Sequence, residues 1–301
     1  MSQADQTDPA NATVAETGHK VDWSTLPEDV FRVFEHRTAQ NSAAYLLPTL
    51  KELQQRNPAL TILDVGAGSA SISASFANIV GPGGGRVTAV DINPVMLQRG
   101  KKLLADRYGV PIDGEDWITF LTADGHHLPF QDASFDIVHC HQVLAHNKGQ
   151  AEILREMLRV TKPGGVVAAR EGDMETEVFW PPLPGLLKFH EDLEVRVIRA
   201  RGASTQSGRQ LLSWALEANG GDRSKITTSF SVWSYSEPEE RKMWAAGMVN
   251  GALNNPQVRE SNIKSGILEA DMDEMRDAWL EWQDRDDATL SMVQGEVLIK
   301  K

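Results

Sequence analysis

The chain has 301 residues, 41% of them hydrophobic, and a formal net charge of −12 at pH 7. That length can bury a sizeable core as one large domain, and the acidic balance argues against a protein that tracks nucleic-acid phosphates, so no nucleic-acid partner is expected. The single cysteine, Cys140, excludes an internal disulfide and any multi-cysteine zinc site.

Residues 1–20 are polar, lack arginine and contain no apolar segment, so they read as a disordered tail and not as a secretory or transit sequence. No apolar run approaches the roughly 20 residues that span a bilayer. The expectation is a soluble, cytoplasmic protein without a membrane partner. Order is expected from near Trp23, with residues 21–301 as one domain. Val30 to Leu53 carries apolar residues at helical spacing (Ala43, Leu46, Leu50, Leu53), with a break or kink at Pro48. Arg37 and Tyr45 are the residues of this segment that could reach a ligand.

Thr61 to Gly68 reads as a buried strand running into a glycine turn, followed by a helix with Ile72, Phe76, Ile79 and Val80 on one face. Gly66 and Gly68 allow a tight turn and a close backbone approach. Strand, glycine turn and helix form the nucleotide-binding corner of a doubly wound sheet. A second strand, Arg86 to Val90, ends at Asp91, where a carboxylate can accept from ribose hydroxyls. Pro94 opens the next helix, with Met96 and Leu97 on its buried stripe. A third strand, Trp117 to Leu121, leads to Asp124 and Gly125, and an acidic group there can accept from an adenine amino group. His126 and His127 suggest a metal, but adjacent side chains on an extended segment point opposite ways, so no metal is expected.

Phe135 to Cys140 reads as the fourth strand. His141 and His146 follow it, and residues just past a strand's C-terminal end sit at the ligand crevice of such a sheet. They are the best-placed titratable groups and the candidate bases. A fifth strand, Val166 to Ala169, ends near Glu171 and Asp173, which are candidate acceptor-orienting groups. Beyond Trp180 the pattern is a helix with Leu186, Leu187, His190, Leu193, Val197 and Ile198 on one face, His190 reading as a core histidine. A helix Gly208 to Ala218, an alternating strand Lys225 to Tyr235 and a last strand Thr289 to Ile299 complete the chain. Residues 237–287 are helical in pattern, with Met272, Met275, Trp279 and Trp282 on one stripe. They read either as packing or as a lid over an apolar acceptor, which Trp180, Trp233 and Trp244 would suit.

Several of these segments occur in one order: Leu63-Asp64-Val65-Gly66-Ala67-Gly68, Val90-Asp91-Ile92 with Met96-Leu97, Asp124, Leu128-Pro129-Phe130, Phe135-Asp136-Ile137-Val138, and Leu158 through Gly165. In that order they resemble the class I S-adenosylmethionine-dependent methyltransferases, in the branch of the ubiquinone/menaquinone-biosynthesis enzymes. Asn41 to Pro48 and His139 to Leu144 resemble a small-molecule subgroup of fungi and actinobacteria. The resemblance covers roughly residues 35 to 175.

It implies a Rossmann-like, doubly wound, mostly parallel α/β sheet of seven strands, with residues 237–287 inserted before the last. It implies S-adenosyl-L-methionine as cofactor and a small organic acceptor, such as a secondary or quinone-like metabolite. Gly66, Ala67 and Gly68 would approach the methionine part and Asp64 would orient its ammonium group. Asp91 would hold the ribose, Ile92 and Met96 would pack near adenine, and Asp124, Gly125 and His126 would face the adenine edge. Tyr45 is placed at the cofactor, with His141 and Gln142 near the sulfonium. Ala70 stands where the family turn usually has a third glycine. Two other readings stay open: a cofactor-binding enzyme that transfers no methyl group, and a non-enzymatic binding or regulatory module with the same fold.

Overall fold

The computed structural model describes residues 26–108 and 117–301. The expected tail at 1–20 and the onset of order at Trp23 lie outside the described residues. Among the described residues, no helix is long and apolar enough to cross a membrane.

The helical stretch before the first strand is three helices: α1 (Glu28–Glu35), α2 (Ala39–Ser42) and α3 (Leu47–Arg56). Thr38 sets the break after α1. Its hydroxyl accepts from the Asn41 N–H at 3.2 Å while the Asn41 side chain accepts from the Thr38 N–H at 2.7 Å, a reciprocal cap. Pro48 falls in the first turn of α3, where a missing N–H costs no helical bond, so it starts a helix and does not kink one.

There follow β1 (Thr61–Val65), α4 (Ser71–Val80), β2 (Arg86–Asp91), α5 (Pro94–Tyr108), β3 (Ile118–Thr122), β4 (Phe135–His141), α6 (Gln150–Val160) and β5 (Thr161–Gly172). Then come β6 (Val178–Trp180), α7 (Pro184–Lys188), a π-helix (Phe189–Val197), α8 (Ile198–Ala200), α9 (Ser207–Ala218) and β7 (Ile226–Tyr235). Helices α10 (Pro238–Met248), α11 (Pro256–Lys264) and α12 (Glu269–Gln283) lead to β8 (Thr289–Lys300).

The strands form one eight-stranded sheet in the order β3-β2-β1-β4-β5-β8, with β7 on the far side of β8. β1 to β5 are parallel, and β8 runs antiparallel between β5 and β7. The short β6 continues the line of β5 by pairing with the start of β8 and is one strand more than the resemblance implied. The order reverses between β1 and β4, so a crevice opens beyond their C-terminal ends.

Alternation along the strands feeds two cores. Val138, Cys140, Val167 and Ala169 face α6 and α9, while Ile137, Val166 and Ala168 face α2, α3 and α4. A third core lies over the C-terminal ends of the parallel strands. It joins Trp233 and Tyr235 of β7, Leu290 and Met292 of β8, and residues of α1, the π-helix, α10 and α12. Trp279 and Trp282 of α12 are both 0% exposed within it. Each fully buried side chain of this size contributes a few kcal/mol, on the order of 1.5–3. This helical layer roofs the crevice.

Candidate active site

The rim of the site is a backbone structure. After β1 the chain turns through Gly66 (φ +67°), Gly68 (φ +56°) and Ala70 (φ +55°), three left-handed residues at alternate positions. A Cβ on Gly66 would lie 2.4 Å from Val143 Cγ2, so only glycine fits there without displacing the Val143 side chain. Ala70 is fully buried and holds the conformation expected of the missing glycine, at a cost of roughly 1–2 kcal/mol. Asp91 ties the turn down: its Oδ2 accepts from the Gly68 N–H and its Oδ1 from the Asn93 N–H, both at 2.8 Å. Burial raises the Asp91 pKa, and these N–H bonds oppose the rise.

A cavity of about 610 Å³ opens from this rim and runs under the helical layer, within the range of roughly 300–1,000 Å³ usual for small-molecule sites. Asp64, Gly66, Ala67, Gly68, Asp91, Ile92, Met96, Asp124 and Gly125 line its rim end. Trp233, Trp244, Met248, Met292, Phe189 and Leu193 line the roofed end. His141 joins the two. It follows Cys140, the register partner of Val65, and its ring meets Trp233 edge-on with centroids 5.6 Å apart. Gln142, held at φ +56°, and His146 also line the cavity.

Several titratable groups on the wall are perturbed by their surroundings. Neither ring nitrogen of His141 has a hydrogen-bond partner among the described residues. Burial first, then the charges of Arg37 and Arg170, push its pKa well below the usual imidazole value. His146 also lines the cavity, with its surface exposed, and desolvation by the surrounding wall, then repulsion from Arg37, lowers its pKa below the ordinary imidazole value. Both rings are therefore neutral at pH 7. Arg37 from the α1–α2 turn lines the cavity with its guanidinium 5.1 Å from the centroids of Phe34 and Trp233. Burial brings its pKa down to about 10, so it stays charged. Asp64 is already engaged, accepting from Ser73 Oγ at 2.5 Å and from His139 Nδ1 at 2.8 Å.

Five residues expected at the site do not line the cavity. Tyr45, expected at the cofactor, packs against the core formed by α2, α3 and α4. His126, expected at the adenine edge, stands behind Asp124: Nδ1 meets Asp124 Oδ1 and Nε2 meets the Lys148 carbonyl, each at 2.9 Å. Glu171, expected at the acceptor, accepts from the N–H groups of Val143, Leu144 and Ala145 at 2.8, 2.8 and 3.2 Å, which anchors the turn after β4. Burial pushes its carboxyl up to about 7 in spite of those three donors. Asp173, also expected at the acceptor, takes a two-pronged bond from Arg209 at 2.5 and 2.7 Å. Trp180 leaves its side chain 56% exposed on β6, and its carbonyl accepts from Trp282 Nε1. The sequence reading also passed over two wall residues, Glu177 and Glu194. Glu194 stands one helical turn from His190, a spacing that could have drawn attention to the pair.

Residues 63–169 match the methyltransferase domain family. An uncharacterized methyltransferase of Schizosaccharomyces pombe is 28% identical over 275 residues, 88% of this chain and 91% of that protein. The ubiquinone/menaquinone biosynthesis C-methyltransferase UbiE of Ectopseudomonas mendocina is 40% identical over 114 residues, 38% of this chain and 42% of its own. The solved YcgJ protein of Bacillus subtilis shares the fold, with a TM-score of 0.50 at 17% identity over 86% of this chain and 99% of that one. The glycine turn with Asp91 at its back and the parallel order around the β1–β4 switch point agree with these likenesses, and residues 63–169 carry the match to the methyltransferase domain family.

Proposed function

We propose that the chain transfers the cofactor's methyl group to a small, flat, largely apolar acceptor held under the helical layer. The observation that carries this reading is the continuity of the cavity: the glycine rim and the Trp233, Trp244, Met248 and Met292 wall belong to one space, with His141 between them. S-adenosylmethionine, when bound, supplies an electrophilic methyl on a sulfonium. The rim fits that molecule. Asp91 would accept from the ribose hydroxyls, Ile92 and Met96 would pack against adenine, Asp124 would accept from its amino group, and Gly66 to Gly68 would let the methionine part approach the backbone.

With a good leaving group already in place, the chain's work is alignment in a dry site. The roof excludes water, and Trp233 and Trp244 offer flat faces to orient an aromatic acceptor. An acceptor that must lose a proton finds a neutral imidazole on the wall, and His146 would take it on a ring nitrogen. Incubation with the cofactor and a panel of phenols, quinols and aliphatic amines, followed by mass spectrometry, tests the reading. Methylated phenol or quinol with equimolar S-adenosylhomocysteine is the expected result. Conversion of an acceptor without S-adenosylhomocysteine would overturn methyl transfer, and preference for the aliphatic amines would overturn the flat apolar acceptor.

A further inference from the structure

The helical wall of the cavity holds a polar cluster that methyl transfer does not use. Glu177 lies just before β6, and His190 and Glu194 lie on the π-helix Phe189–Val197. One ligand atom from each falls within 4.8 Å of the other two. Both glutamates line the cavity. The Glu177 side chain is 2% exposed, and the groups facing it are Glu194 and His190.

The distances are informative. His190 Nδ1 stands 3.4 Å from Glu177 Oε2 and 3.5 Å from Glu194 Oε2. Good N–H···O bonds lie near 2.7–3.2 Å, and neither His190 Nδ1 nor Glu194 Oε2 has a hydrogen-bond partner among the described residues. A carboxylate as deep as Glu177, set beside a second one, is unfavourable unless a proton or a cation compensates it. In a tetrahedral zinc shell with bonds of about 2.0–2.1 Å, neighbouring ligand atoms stand about 3.3–3.4 Å apart. The two His190 contacts are thus longer than good hydrogen bonds and match the spacing of neighbouring ligands around a shared ion.

We propose that Glu177, His190 and Glu194 form a divalent-cation site of the zinc type, three protein ligands with a fourth position open to the cavity. An imidazole with two carboxylates suits zinc, whereas magnesium prefers all-oxygen octahedra. The π-helix supports the assignment, since such widened turns often mark functional positions. A proton competes with the ion: the two carboxylates, Glu177 foremost, raise the His190 pKa to about 10. The site goes beyond the methyl-transfer reading and does not depend on it.

The test is calorimetry on chelator-stripped full-length protein, titrated with zinc chloride and separately with magnesium chloride. One zinc per chain is expected, with no magnesium uptake, and with affinity at least about tenfold weaker in Glu177→Gln and His190→Ala. Cobalt-loaded protein should show the visible absorption of a four-coordinate ion, lost in His190→Ala. S-adenosylhomocysteine binding by each variant reports whether the rim end is still folded. Should His190→Ala lose that binding as well, the shape-matched Glu194→Gln decides in its place. Absence of zinc uptake, or uptake unchanged in these variants, overturns the site.

Discussion

The two ends of the cavity are built from different materials. The rim end is backbone: left-handed turns at Gly66, Gly68 and Ala70, pinned by one carboxylate at 2.8 Å. The roofed end is side chain: aromatic and methionine residues of β7, β8, α10 and the π-helix, backed by Trp279 and Trp282. A backbone site recognises groups common to every use of a cofactor. A side-chain site can be rebuilt for each acceptor while the rim stays as it is. The difference predicts that damage at one end leaves the other working.

The largest effect is expected at the roof. Trp279→Ala empties a fully buried position where the indole meets Phe179, Phe189 and Trp282. It should cost about 3–5 kcal/mol in urea unfolding. A loss under ~1 kcal/mol would mean that the helical layer is not a packed core. Next comes the candidate base on the cavity wall. His146→Gln should lower turnover about 100-fold for an acceptor that must be deprotonated. The base works only when neutral, and its pKa lies below the ordinary 6.5. In the wild type kcat/KM should therefore rise with pH along a limb centred below 6.5 and stay flat above it. Persistence of that limb in the variant would remove His146 from the role.

At the rim, Gly66→Ala must strain a left-handed position and push aside Val143. Roughly 1–2 kcal/mol of strain corresponds to about a tenfold loss of S-adenosylhomocysteine affinity, with acceptor KM unchanged. Equal losses for both ligands would merge the two ends into one. The smallest effect is expected for Ala70→Gly. Relief of the left-handed strain is partly offset by the freer unfolded chain, for a net gain of under ~1 kcal/mol. A clear loss of stability would assign the buried methyl a packing role that outweighs the backbone.

The same contrast explains what could be read in the sequence. Rim residues were legible because each answers to local backbone geometry: glycines where φ is positive, and Asp91 where β2 ends beside the turn. The acceptor end was not, because its partners come together only in the fold. Glu171 and Asp173 stand at the end of β5, the position that suggested a ligand role. Their carboxylates are taken by the Val143–Ala145 N–H groups and by Arg209, and no local pattern announces either capture. His126 was placed one step too far forward, since it braces Asp124 from behind. Three-residue β6 is too short to show alternation. The first helical stretch reads as broken only at Pro48, because the break after α1 rests on one reciprocal cap between Thr38 and Asn41.

The most direct test of the divided cavity is calorimetric titration of S-adenosylhomocysteine into the wild type, Asp91→Ala and Trp244→Leu. Asp91→Ala frees the Gly68 and Asn93 N–H groups and removes the proposed ribose acceptor, and should weaken binding by at least about tenfold. Trp244→Leu, at the roofed end, should leave it within about twofold. Equal weakening in both variants, or none in Asp91→Ala, would contradict a cofactor end that is separate and centred on the glycine turn.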